Sequence, residues 1–470
     1  MESLAAMKNL YALIMAAGKG TRMVSNRAKV LHNLCGIPML RMIYRSVVAL
    51  EPQDIFVVIG YDAERVRAGL EGYPAHFIIQ EKQLGTGHAV ITARDELEKL
   101  RGGDLLVLFG DTPLVKEETL SKLVEHHRCS EAATTLLTVH APDPLGYGRI
   151  LRDGNNRIQA IVEESDATSE LRLITEINPG CYCFQINPLL ESLRKLSNNN
   201  VQKEYYLTDL IEIQRREGRI VDAILHDDYE ELRGINSREQ LADLSLSLGK
   251  EKKRKLMAAG VTLIDPDRTY IQLDVAVEKD VTIYPMVTLE GNTRIGEGCV
   301  IRSGTRILNS VIGPNVEVLD ACVISDCRID EGSSIGPSAH LRHHTVVGKN
   351  CRIGNFVEIV RSTLGDETLA MHLAYLGDAQ IGSRVNIGAG VVTCNYDGLR
   401  KNATIIEDDA FVGSNSQLIA PIRIGGGAFV AAGSTICRNV PPGALGIGRA
   451  KQKIKKGWRA RRRERNESDD

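Results

Sequence analysis

An aliphatic residue recurs at every sixth position in two stretches of this chain. The residues are Ile329, Ile335, Leu341, Val347, Ile353 and Ile359, and then Ile406, Val412, Leu418, Ile424, Val430 and Ile436. A period of six fits neither a helix nor a simple strand, but it is typical of a parallel β-helix. Each six-residue unit forms one side of a coil there and points its aliphatic side chain inward. One coil cannot bury that side chain alone, so we expect stacked coils that build a rod.

Length and composition limit what the rest of the chain can be. A chain of 470 residues exceeds one ordinary core and predicts two or three domains. Hydrophobic residues make up 43% of the chain and aromatic residues 4%, so aliphatic side chains must fill the interior. The formal net charge of -2 gives no electrostatic reason to expect nucleic acid as a partner.

The cysteines and the first apolar run indicate the cellular compartment in which the protein is expected. Ten cysteines are scattered without a CxxC pair or a Cys/His ligand cluster, which favours a reducing compartment over a disulfide framework. The apolar run Leu10–Ala17 is too short to span a membrane, and we interpret it as the first strand of a domain. We therefore expect a cytoplasmic protein without a membrane segment.

The chain divides into four segments by pattern. Residues 1–236 alternate short aliphatic runs with amphipathic stretches, which predicts an α/β domain of Rossmann-like βαβ units with a mostly parallel sheet. Residues 237–260 are charged and helical in pattern, so we predict a linker helix. The hexapeptide repeats occupy 261–445, and a basic tail, interpreted as a solvated and partly disordered terminus, occupies 446–470.

The hexapeptide spacing is interrupted twice. Ile359 and Ile381 are 22 residues apart, and Ile387 and Ile406 are 19 apart, and neither number is a multiple of six. We expect the extra residues to leave the coil as loops. Loops on a rigid scaffold often carry binding and catalytic groups.

A glycine-rich segment follows the first predicted strand. In Met15–Met23 (MAAGKGTRM), Gly18 and Gly20 let the backbone approach a ligand and expose N–H groups to phosphate oxygens. Arg22 and Lys29 can add positive charge where a phosphoryl group in transfer is negative. The segment has neither GxGxxG nor GxxxxGK[ST] spacing, so it indicates neither a dinucleotide fingerprint nor a P-loop.

Eight motifs in order carry a resemblance to a known family. They are AAGKGTRM…AKVLH (16–32), QLGTGHA (83–89), FGDTPL (109–114), GYGRI (146–150), IVEESDA (161–167), EINPG (176–180), EYYLTD (204–209) and GINSR (234–238). Together with the repeats behind them, they resemble the bacterial bifunctional N-acetylglucosamine-1-phosphate uridylyltransferase/glucosamine-1-phosphate acetyltransferase family. The resemblance covers nearly the whole chain.

For the first half, the resemblance implies Mg²⁺-dependent attack of N-acetylglucosamine 1-phosphate on UTP, with release of pyrophosphate. Asp111, which follows an apolar strand, would hold Mg²⁺ together with Asn236, since hard cations prefer oxygen ligands. Arg22 and Lys29 would act on the triphosphate. The residues that would bind UTP or the nucleotide-sugar product are Ala16, Ala17, Gly18, Lys29, Gln80, Gly85, Thr86, Gly148, Glu163, Asn178 and Asn236.

Within that set the resemblance assigns separate tasks. Gln80, Gly85 and Thr86 would read the uracil, and the sugar would be bound by Gly148, Glu163 and Asn178. The family usually has tyrosine where this chain has Phe109, which loses a hydroxyl but keeps the ring.

For the second half, the resemblance implies acetyl-CoA-dependent N-acetylation of glucosamine 1-phosphate. His372, in the first interruption of the repeat, would be the general base on the amine. Arg342, Tyr375 and Asn386 would bind the acceptor sugar phosphate. The coenzyme and acyl group would contact Ala389, Asn395, Tyr396, Ser414, Ala432 and Arg449. The family also implies a left-handed coil and a homotrimer whose acetyl sites lie between subunits.

The second site departs from the family at three places. Val360 stands where the family has a lysine, Met371 where it has a glycine before the histidine, and His343-His344 where it has Pro-Gly. These changes leave three interpretations open: a weakened acetyltransferase, a different acceptor, or a β-helix kept for assembly. A fully non-catalytic scaffold is disfavoured, because the charged and polar residues of the first site are all present.

Overall fold

The computed structural model describes residues 9–100 and 102–462 and separates the chain into two compact units. The first unit is Met1–Ser247 and the second is Leu248–Asp470. The predicted linker helix is a single helix, Arg238–Ala258, which contains the division between the units. The four segment boundaries drawn from the sequence stay predictions.

The first unit contains twelve strands and eight complete helices within the described residues. The strands are β1 (Leu10–Ala16), β2 (Asn33–Leu34), β3 (Ile37–Pro38), β4 (Asp54–Ile59), β5 (His76–Ile79), β6 (Asp104–Phe109), β7 (Thr134–His140), β8 (Gly148–Arg152), β9 (Ile158–Val162), β10 (Glu176–Asn178), β11 (Cys181–Gln185) and β12 (Val221–His226). The helices are α1 (Met39–Val48), α2 (Ala63–Gly69), α3 (Thr86–Thr92), α4 (Arg94–Leu97), α5 (Glu117–Cys129), α6 (Ile186–Leu193), α7 (Asp209–Arg216) and α8 (Tyr229–Leu232), and the helix that follows is α9 (Arg238–Ala258).

Ten of these strands form one sheet in the order β5-β4-β1-β6-β11-β7-β10-β8-β9, with β12 paired to β7. Strands β5, β4, β1 and β6 are parallel, as βαβ units require. From β6 to β9 each neighbour on this path is antiparallel. The predicted α/β fold is confirmed, but the sheet is mixed rather than mostly parallel. Apolar runs reveal that a strand is buried, and they do not reveal its direction.

Both faces of this sheet are buried. Along β1, Leu10, Ala12 and Ile14 pack into one core cluster with residues of α1 and α5, whereas Tyr11 and Leu13 pack into a second cluster with residues of α6 and α7. This alternation follows from the two-residue period of a strand. The carboxyl ends of β1 and β6 are thereby fixed side by side, and the glycine-rich segment and Asp111 follow from them.

After the end of α9, the described residues of the second unit contain thirty short strands, each two to four residues long. They are β13 (Thr262–Leu263), β14 (Tyr270–Ile271), β15 (Ala276–Val277), β16 (Thr282–Ile283), β17 (Thr288–Glu290), β18 (Arg294–Ile295), β19 (Val300–Ile301), β20 (Arg306–Leu308), β21 (Val311–Ile312), β22 (Glu317–Val318), β23 (Val323–Ser325), β24 (Arg328–Ile329), β25 (Ser334–Ile335), β26 (His340–Arg342), β27 (Val346–Val347), β28 (Arg352–Asn355), β29 (Glu358–Val360), β30 (Thr363–Leu364), β31 (Leu369–His372), β32 (Tyr375–Gly377), β33 (Ala379–Ile381), β34 (Asn386–Ile387), β35 (Val392–Cys394), β36 (Thr404–Ile406), β37 (Phe411–Val412), β38 (Gln417–Ile419), β39 (Ile422–Ile424), β40 (Phe429–Val430), β41 (Thr435–Ile436) and β42 (Leu445–Gly446).

These strands form three parallel sheets, and each sheet takes every third strand until β42 joins β40. The chain therefore winds through one strand of each sheet per coil, which is the predicted parallel β-helix. All twelve aliphatic residues of the two six-residue series are buried in one continuous core. The sequence period is confirmed as the inward-facing series.

The first predicted loop is wrong. Between Ile359 and Ile381 the coil continues through β30, β31 and β32, with Leu364, Ala370 and Leu376 as the buried inward residues. The corner between the second and third sheets takes one residue fewer in these coils, so one side of each coil spans five residues and the other two span six. Residues 370–379 are consequently strands joined by two corners, 373–374 and 378. The second interruption is a real loop, since residues 395–403 lie between β35 and β36.

A second buried position lies two residues before the inward aliphatic residues, and a small side chain fills it at many of the corners. Ser310, Cys327 and Ser362 are examples at one corner of the coil. The hydroxyl of Ser310 accepts a hydrogen bond from the Cys327 backbone N–H at 3.0 Å, and Ser362 Oγ accepts one from the Ala379 N–H at 2.9 Å. These side chains satisfy backbone groups that the turns of the coil leave unpaired.

We expect Ile324→Ala to lower the free energy of unfolding by about 2–5 kcal/mol, because it leaves a cavity in the stacked core. Ile324 is fully buried (0% exposed) on β23. The neighbouring Val323 is 38% exposed on the outer face, so Val323→Ala is a matched control with an expected effect within about 0.5 kcal/mol. Urea unfolding of the two variants measures the difference, and equal losses would contradict the inward assignment of Ile324.

Two other sequence expectations bear on the described residues. No disulfide joins any of the ten cysteines, in keeping with the sequence prediction. Across residues 9–100 and 102–462, no helix has the combination of length and apolar character that crossing a membrane requires. The basic tail predicted for 446–470 is mostly exposed as far as residue 462, and 463–470 lie outside the described residues.

Candidate active sites

A cavity of about 450 Å³ lies at the carboxyl ends of β1 and β6 in the first unit. It brings together nine of the residues predicted from the sequence: Ala17, Gly18, Arg22, Lys29, Gln80, Gly85, Thr86, Asp111 and Asn236. Phe109 and Glu204 also line it. Ala16 is buried at the end of β1 beside the cavity, and Gly148, Glu163 and Asn178 lie outside its lining.

The glycine-rich segment requires glycine where it bends back over Lys29. Gly20 has φ 65°, and a Cβ there would stand 2.7 Å from the Cβ of Lys29. The 3₁₀ turn Thr21–Met23 follows at once and carries Arg22. The guanidinium of Arg22 has no ion-pair partner in the described part of the chain, so it is available to a phosphate.

Lys29, Asp111 and Asn236 form one polar cluster inside the cavity. The Lys29 ammonium donates to Asp111 Oδ2, and it donates to Asn236 Oδ1 at 2.9 Å. The cation thus lies between the two oxygens that were predicted to bind Mg²⁺. These two oxygens surround the Lys29 ammonium in this structure. A dication would compete with Lys29 for the same two oxygen atoms unless the ammonium turned toward a substrate phosphate.

The donor set suits Mg²⁺ better than a transition metal. Asp111 supplies a carboxylate and Asn236 an amide oxygen, and Mg²⁺ is commonly bound by one or two protein oxygens together with water and substrate phosphates. In the described ranges, no group of three or more His, Cys, Asp or Glu side chains could hold a metal. A closed protein cage is therefore absent there, and a shared site with phosphate oxygens fits.

Backbone hydrogen bonds hold the segment that carries Asn236. The Gly234 N–H donates to the Tyr147 hydroxyl at 3.0 Å, and the Ile235 N–H donates to the Asp111 carbonyl at 2.9 Å. Gln240 Oε1, in the first turn of α9, accepts from the Asn236 N–H at 2.7 Å. Neither Tyr147 nor Gln240 was singled out from the sequence, although the Ser237-x-x-Gln240 spacing is a capping-box signal.

The predicted sugar residues form a second cluster on the antiparallel half of the sheet. Gly148 pairs with Asn178 in register, and a Cβ on Gly148 would stand 3.5 Å from Glu163 Oε2. Thr208 Oγ1 donates to Glu163 Oε1 at 2.9 Å. Desolvation by burial, reinforced by nearby acidic groups, raises the pKa of Glu163. Thr208 was missed, and the EYYLTD motif was the signal for it.

In the second unit, His372 is the last residue of β31 and its imidazole is exposed. Its Nδ1 lies 2.7 Å from Oδ1 of Asn355, which is the residue paired with it in register on the preceding coil. An amide oxygen can only accept, so this contact places the proton on Nδ1 and the lone pair on Nε2. Asn355 was not predicted, but it precedes His372 by one coil.

The predicted phosphate-binding face carries balanced charges. Arg342 donates to Glu358 at 2.6 Å, and Arg361 pairs with Asp378 at 2.6 Å. Between Arg342 and Gly377 in the sheet register stands Val360, which is 1% exposed. Arg361 occupies a corner with φ 48°, so it does not continue the strand and does not replace the lysine that the resemblance implies at Val360.

The other two departures differ in their effect on the backbone. Met371 lies on β31 without a positive φ, so a side chain there causes no backbone strain. His343 and His344 have φ values of 54° and 62°. Proline is restricted to φ near −65°, so this corner is a different turn from one that a Pro-Gly pair would form. The change lies directly after Arg342.

Small side chains stack along another corner of the coil. The Ala389 carbonyl accepts from the Asn415 N–H at 2.7 Å, and the Ser414 carbonyl accepts from the Gly433 N–H at 2.8 Å. Arg449 Nη1 donates to the Ala432 carbonyl at 2.7 Å. The structure thus aligns Ala389, Ser414, Ala432 and Arg449, four of the six positions predicted to contact the coenzyme or the acyl group.

The predicted acyl and acceptor residues lie close to the real loop, 395–403. Asn395 is buried and donates to Asp378 Oδ2 at 2.5 Å, whereas Tyr396 is exposed and donates to the Gly398 carbonyl at 2.7 Å. Two backbone N–H groups and the Asn402 amide hold Asp397 and lower its pKa to about 2.

Tyr375 and Asn386, predicted to bind the acceptor, begin β32 and β34 on neighbouring sheets. No hydrogen bond or ion pair links His372 to Arg342 within the described chain.

The cavity and the stacked coils define a class of protein: a transferase that joins a nucleotidyltransferase domain to a hexapeptide-repeat domain. Three family models agree with this class. Residues 12–180 match the MobA-like NTP transferase domain, 271–347 match the GMPPB C-terminal domain, and 403–438 match the hexapeptide repeat of succinyl-transferase.

Close relatives span the whole arrangement. The chain is 47% identical over 454 residues to the bifunctional protein GlmU of Alkaliphilus metalliredigens, an alignment that covers 96% of this chain and 98% of the relative. It is 46% identical to the GlmU proteins of Acetivibrio thermocellus (96% of this chain, 97% of the relative) and Shouchella clausii (95% and 98%). The chain belongs to the GlmU family of bifunctional proteins, and it is an enzyme with a nucleotidyltransferase half and an acyltransferase half.

Proposed function

We propose that this enzyme first N-acetylates glucosamine 1-phosphate with acetyl-CoA and then transfers a uridylyl group from UTP to the product. The observation that carries the proposal is the convergence of the glycine-rich segment, Arg22, Lys29 and Asp111 on one cavity. Cationic side chains and a carboxylate beside a glycine-rich loop support the proposal, because phosphoryl transfer is catalysed by positioning the phosphates and neutralising their charge.

In the uridylyl step, the sugar phosphate attacks the α-phosphorus of UTP in line with the departing pyrophosphate. Arg22 and Lys29 neutralise the triphosphate, and Asp111 and Asn236 would hold Mg²⁺. When bound, Mg²⁺ would neutralise phosphate charge and orient the phosphates for displacement. Glu163 and Asn178 would position the sugar, so most of the catalysis comes from orientation and charge rather than from a covalent intermediate.

In the acetyl step, His372 Nε2 takes a proton from the substrate amine as the nitrogen attacks the thioester carbonyl. Asn355 keeps the lone pair on that nitrogen by accepting from Nδ1–H. The aligned corner of Ala389, Ser414 and Ala432 would run along the coenzyme, with Arg449 at its end. The leaving group is the coenzyme A thiolate.

A second candidate is a uridylyltransferase whose β-helix has lost or changed its acetyl acceptor. Val360 favours it, because the two arginines nearby, Arg342 and Arg361, are each neutralised by a carboxylate. The acceptor phosphate would therefore meet less free positive charge than a lysine at this position would provide.

Restoring a lysine should separate these candidates. Val360→Lys should raise kcat/KM for glucosamine 1-phosphate about ten- to a hundredfold, since a hydrogen bond to a charged group contributes about 1.5–3 kcal/mol. Val360→Met, which is similarly long but neutral, is the matched control, and uridylyl transfer should not change in either variant. An equal gain from methionine, or no gain from lysine, would contradict a missing phosphate contact.

We also propose a homotrimeric, cytoplasmic enzyme. Support for assembly comes from the family and from exposed aromatic residues on the β-helix, where the Phe411 and Phe429 rings stack with centroids 4.4 Å apart. Light scattering on the purified protein tests the stoichiometry, and a monomer at micromolar concentration would oppose it. Ten cysteines without a disulfide support a reducing compartment.

The overall proposal is tested by two assays on one preparation. Release of free thiol from acetyl-CoA with glucosamine 1-phosphate measures the first step, and release of pyrophosphate from UTP with N-acetylglucosamine 1-phosphate measures the second. Activity in both assays supports the bifunctional enzyme. Activity in the second assay alone favours the changed acceptor, and no activity in either would overturn both candidates.

A further inference from the structure

The amide of Gln80 is held in one orientation. Gln80 follows β5, is 3% exposed and lines the cavity. Its Nε2 lies 2.9 Å from His88 Nδ1 and 3.3 Å from the Gly85 carbonyl oxygen. Both partners belong to the N-terminal part of α3 or the residue before it. The amide nitrogen is therefore turned toward α3.

The amide oxygen is left for a ligand. Gln80 Oε1 has no hydrogen-bond partner among the described side chains and backbone groups, whereas both protons of Nε2 have an acceptor. The bond to His88 is the shorter of the two contacts. An amide oxygen without a partner, in the wall of a cavity, can accept a hydrogen bond from a donor group that enters.

We infer that His88 is a positioning residue that sets the base specificity of the site through Gln80, so that the site selects an imide base, uracil or thymine, and rejects cytosine. This inference rests on the proposed function, in which Gln80 reads the base of UTP. Gln80 Oε1 accepts the N3–H of an imide, and the Nε2 proton that makes the longer contact with Gly85 donates to the carbonyl at C4. Cytosine presents an unprotonated N3 and an amino group, so both contacts would be reversed.

Rotation of the amide by half a turn would accommodate cytosine, and His88 opposes that rotation. After rotation, Gln80 Oε1 would face the carbonyl of Gly85, which can only accept, and His88 could keep a hydrogen bond to Gln80 only by moving its ring proton from Nε2 to Nδ1. Burial lowers the pKa of His88, which keeps the imidazole neutral and able to accept at neutral pH. The contacts of Gln80 with α3 and the residue before it therefore decide whether the amide presents its acceptor oxygen or its donor nitrogen to the base.

The test compares UTP with CTP in the full-length protein. Wild type, His88→Ala and His88→Asn are assayed for kcat/KM with each nucleotide, and equilibrium binding of each nucleotide is measured in the presence of Mg²⁺ without sugar phosphate. The amide oxygen that His88→Asn introduces would stand where Nδ1 of the histidine stands and would still accept from Gln80, so this is the conservative variant. His88→Leu fills more of the space without an acceptor and is measured beside His88→Ala in case the smaller side chain unsettles α3.

We expect the UTP-to-CTP ratio to fall about five- to 150-fold in His88→Ala and His88→Leu, the range of one bidentate base contact, and to stay close to wild type in His88→Asn. An unchanged ratio in the alanine and leucine variants would overturn the inference, even if overall activity fell. An equal loss in the asparagine variant would also overturn it. A wild-type protein that neither binds nor uses UTP would instead overturn the proposed function.

Discussion

His372→Ala should lower acetyl transfer by about 10²- to 10⁴-fold and leave uridylyl transfer unchanged. General-base catalysis by a positioned side chain typically contributes this much. The contact with Asn355 assigns the lone pair to His372 Nε2, and the imidazole is exposed, so a substrate amine can reach it. The two activities lie in different compact units, which makes pyrophosphate release an internal control in the same sample.

A matched pair at Asn355 tests the geometry behind this expectation. Asn355→Asp keeps an acceptor for Nδ1–H, whereas Asn355→Leu removes it, so only the leucine variant should lose a large part of the acetyl activity. Thiol release measures both. If His372→Ala acetylated at the wild-type rate, the general base would have to be another residue, and the proposed acetyl mechanism would be wrong.

Asp111→Asn should lower uridylyl transfer by at least about a hundredfold while acetyl transfer persists. The substitution removes the carboxylate proposed to hold Mg²⁺, and a bound metal contributes several kcal/mol of charge stabilisation, with about 1.4 kcal/mol for each tenfold in rate. It also removes the anionic partner of the Lys29 ammonium. We expect the Mg²⁺ concentration that gives half-maximal rate to rise, which pyrophosphate release at varied Mg²⁺ measures.

Glu204→Gln provides the comparison for Asp111. Glu204 lines the same cavity, and its side chain forms no hydrogen bond or ion pair with Lys29 or Asn236. Its neutralisation removes a carboxylate from the cavity without changing the proposed metal site, and the Mg²⁺ dependence should stay as in wild type. A wild-type rate and a wild-type Mg²⁺ dependence in Asp111→Asn would exclude Asp111 as the metal ligand.

The sequence could predict the β-helix because its inward residues are aliphatic and regularly spaced. It could not predict where a side shortens to five residues, since the corner beside Arg361 loses one residue without any change in hydrophobicity. Strict counting in sixes therefore turned residues 370–379 into a loop, although they continue the coil. The mixed sheet of the first unit was missed for a related reason, because Cys181–Gln185 is equally apolar in either strand direction.

Site residues that belong to a recognisable sequence motif could be predicted. Residues that only orient those side chains through a hydrogen bond could not. Asp111 and His372 stand in recognisable segments. Asn355 acts on His372 from the coil before it, and Thr208 reaches Glu163 from the turn before α7. Such partners depend on which backbone segments lie side by side, and that arrangement exists only after folding.

The loop 395–403 has a consequence for how this half of the chain can change length over evolutionary time. A single-residue insertion inside a two- or three-residue strand would turn inward side chains outward along that side, because strand faces alternate. The nine-residue segment 395–403 at a corner leaves the neighbouring pairs intact, as Tyr375 with Val392 before the loop and Gln380 with Ile405 after it. Insertions are therefore tolerated at corners, and new surface chemistry in this fold can arise there without repacking the core.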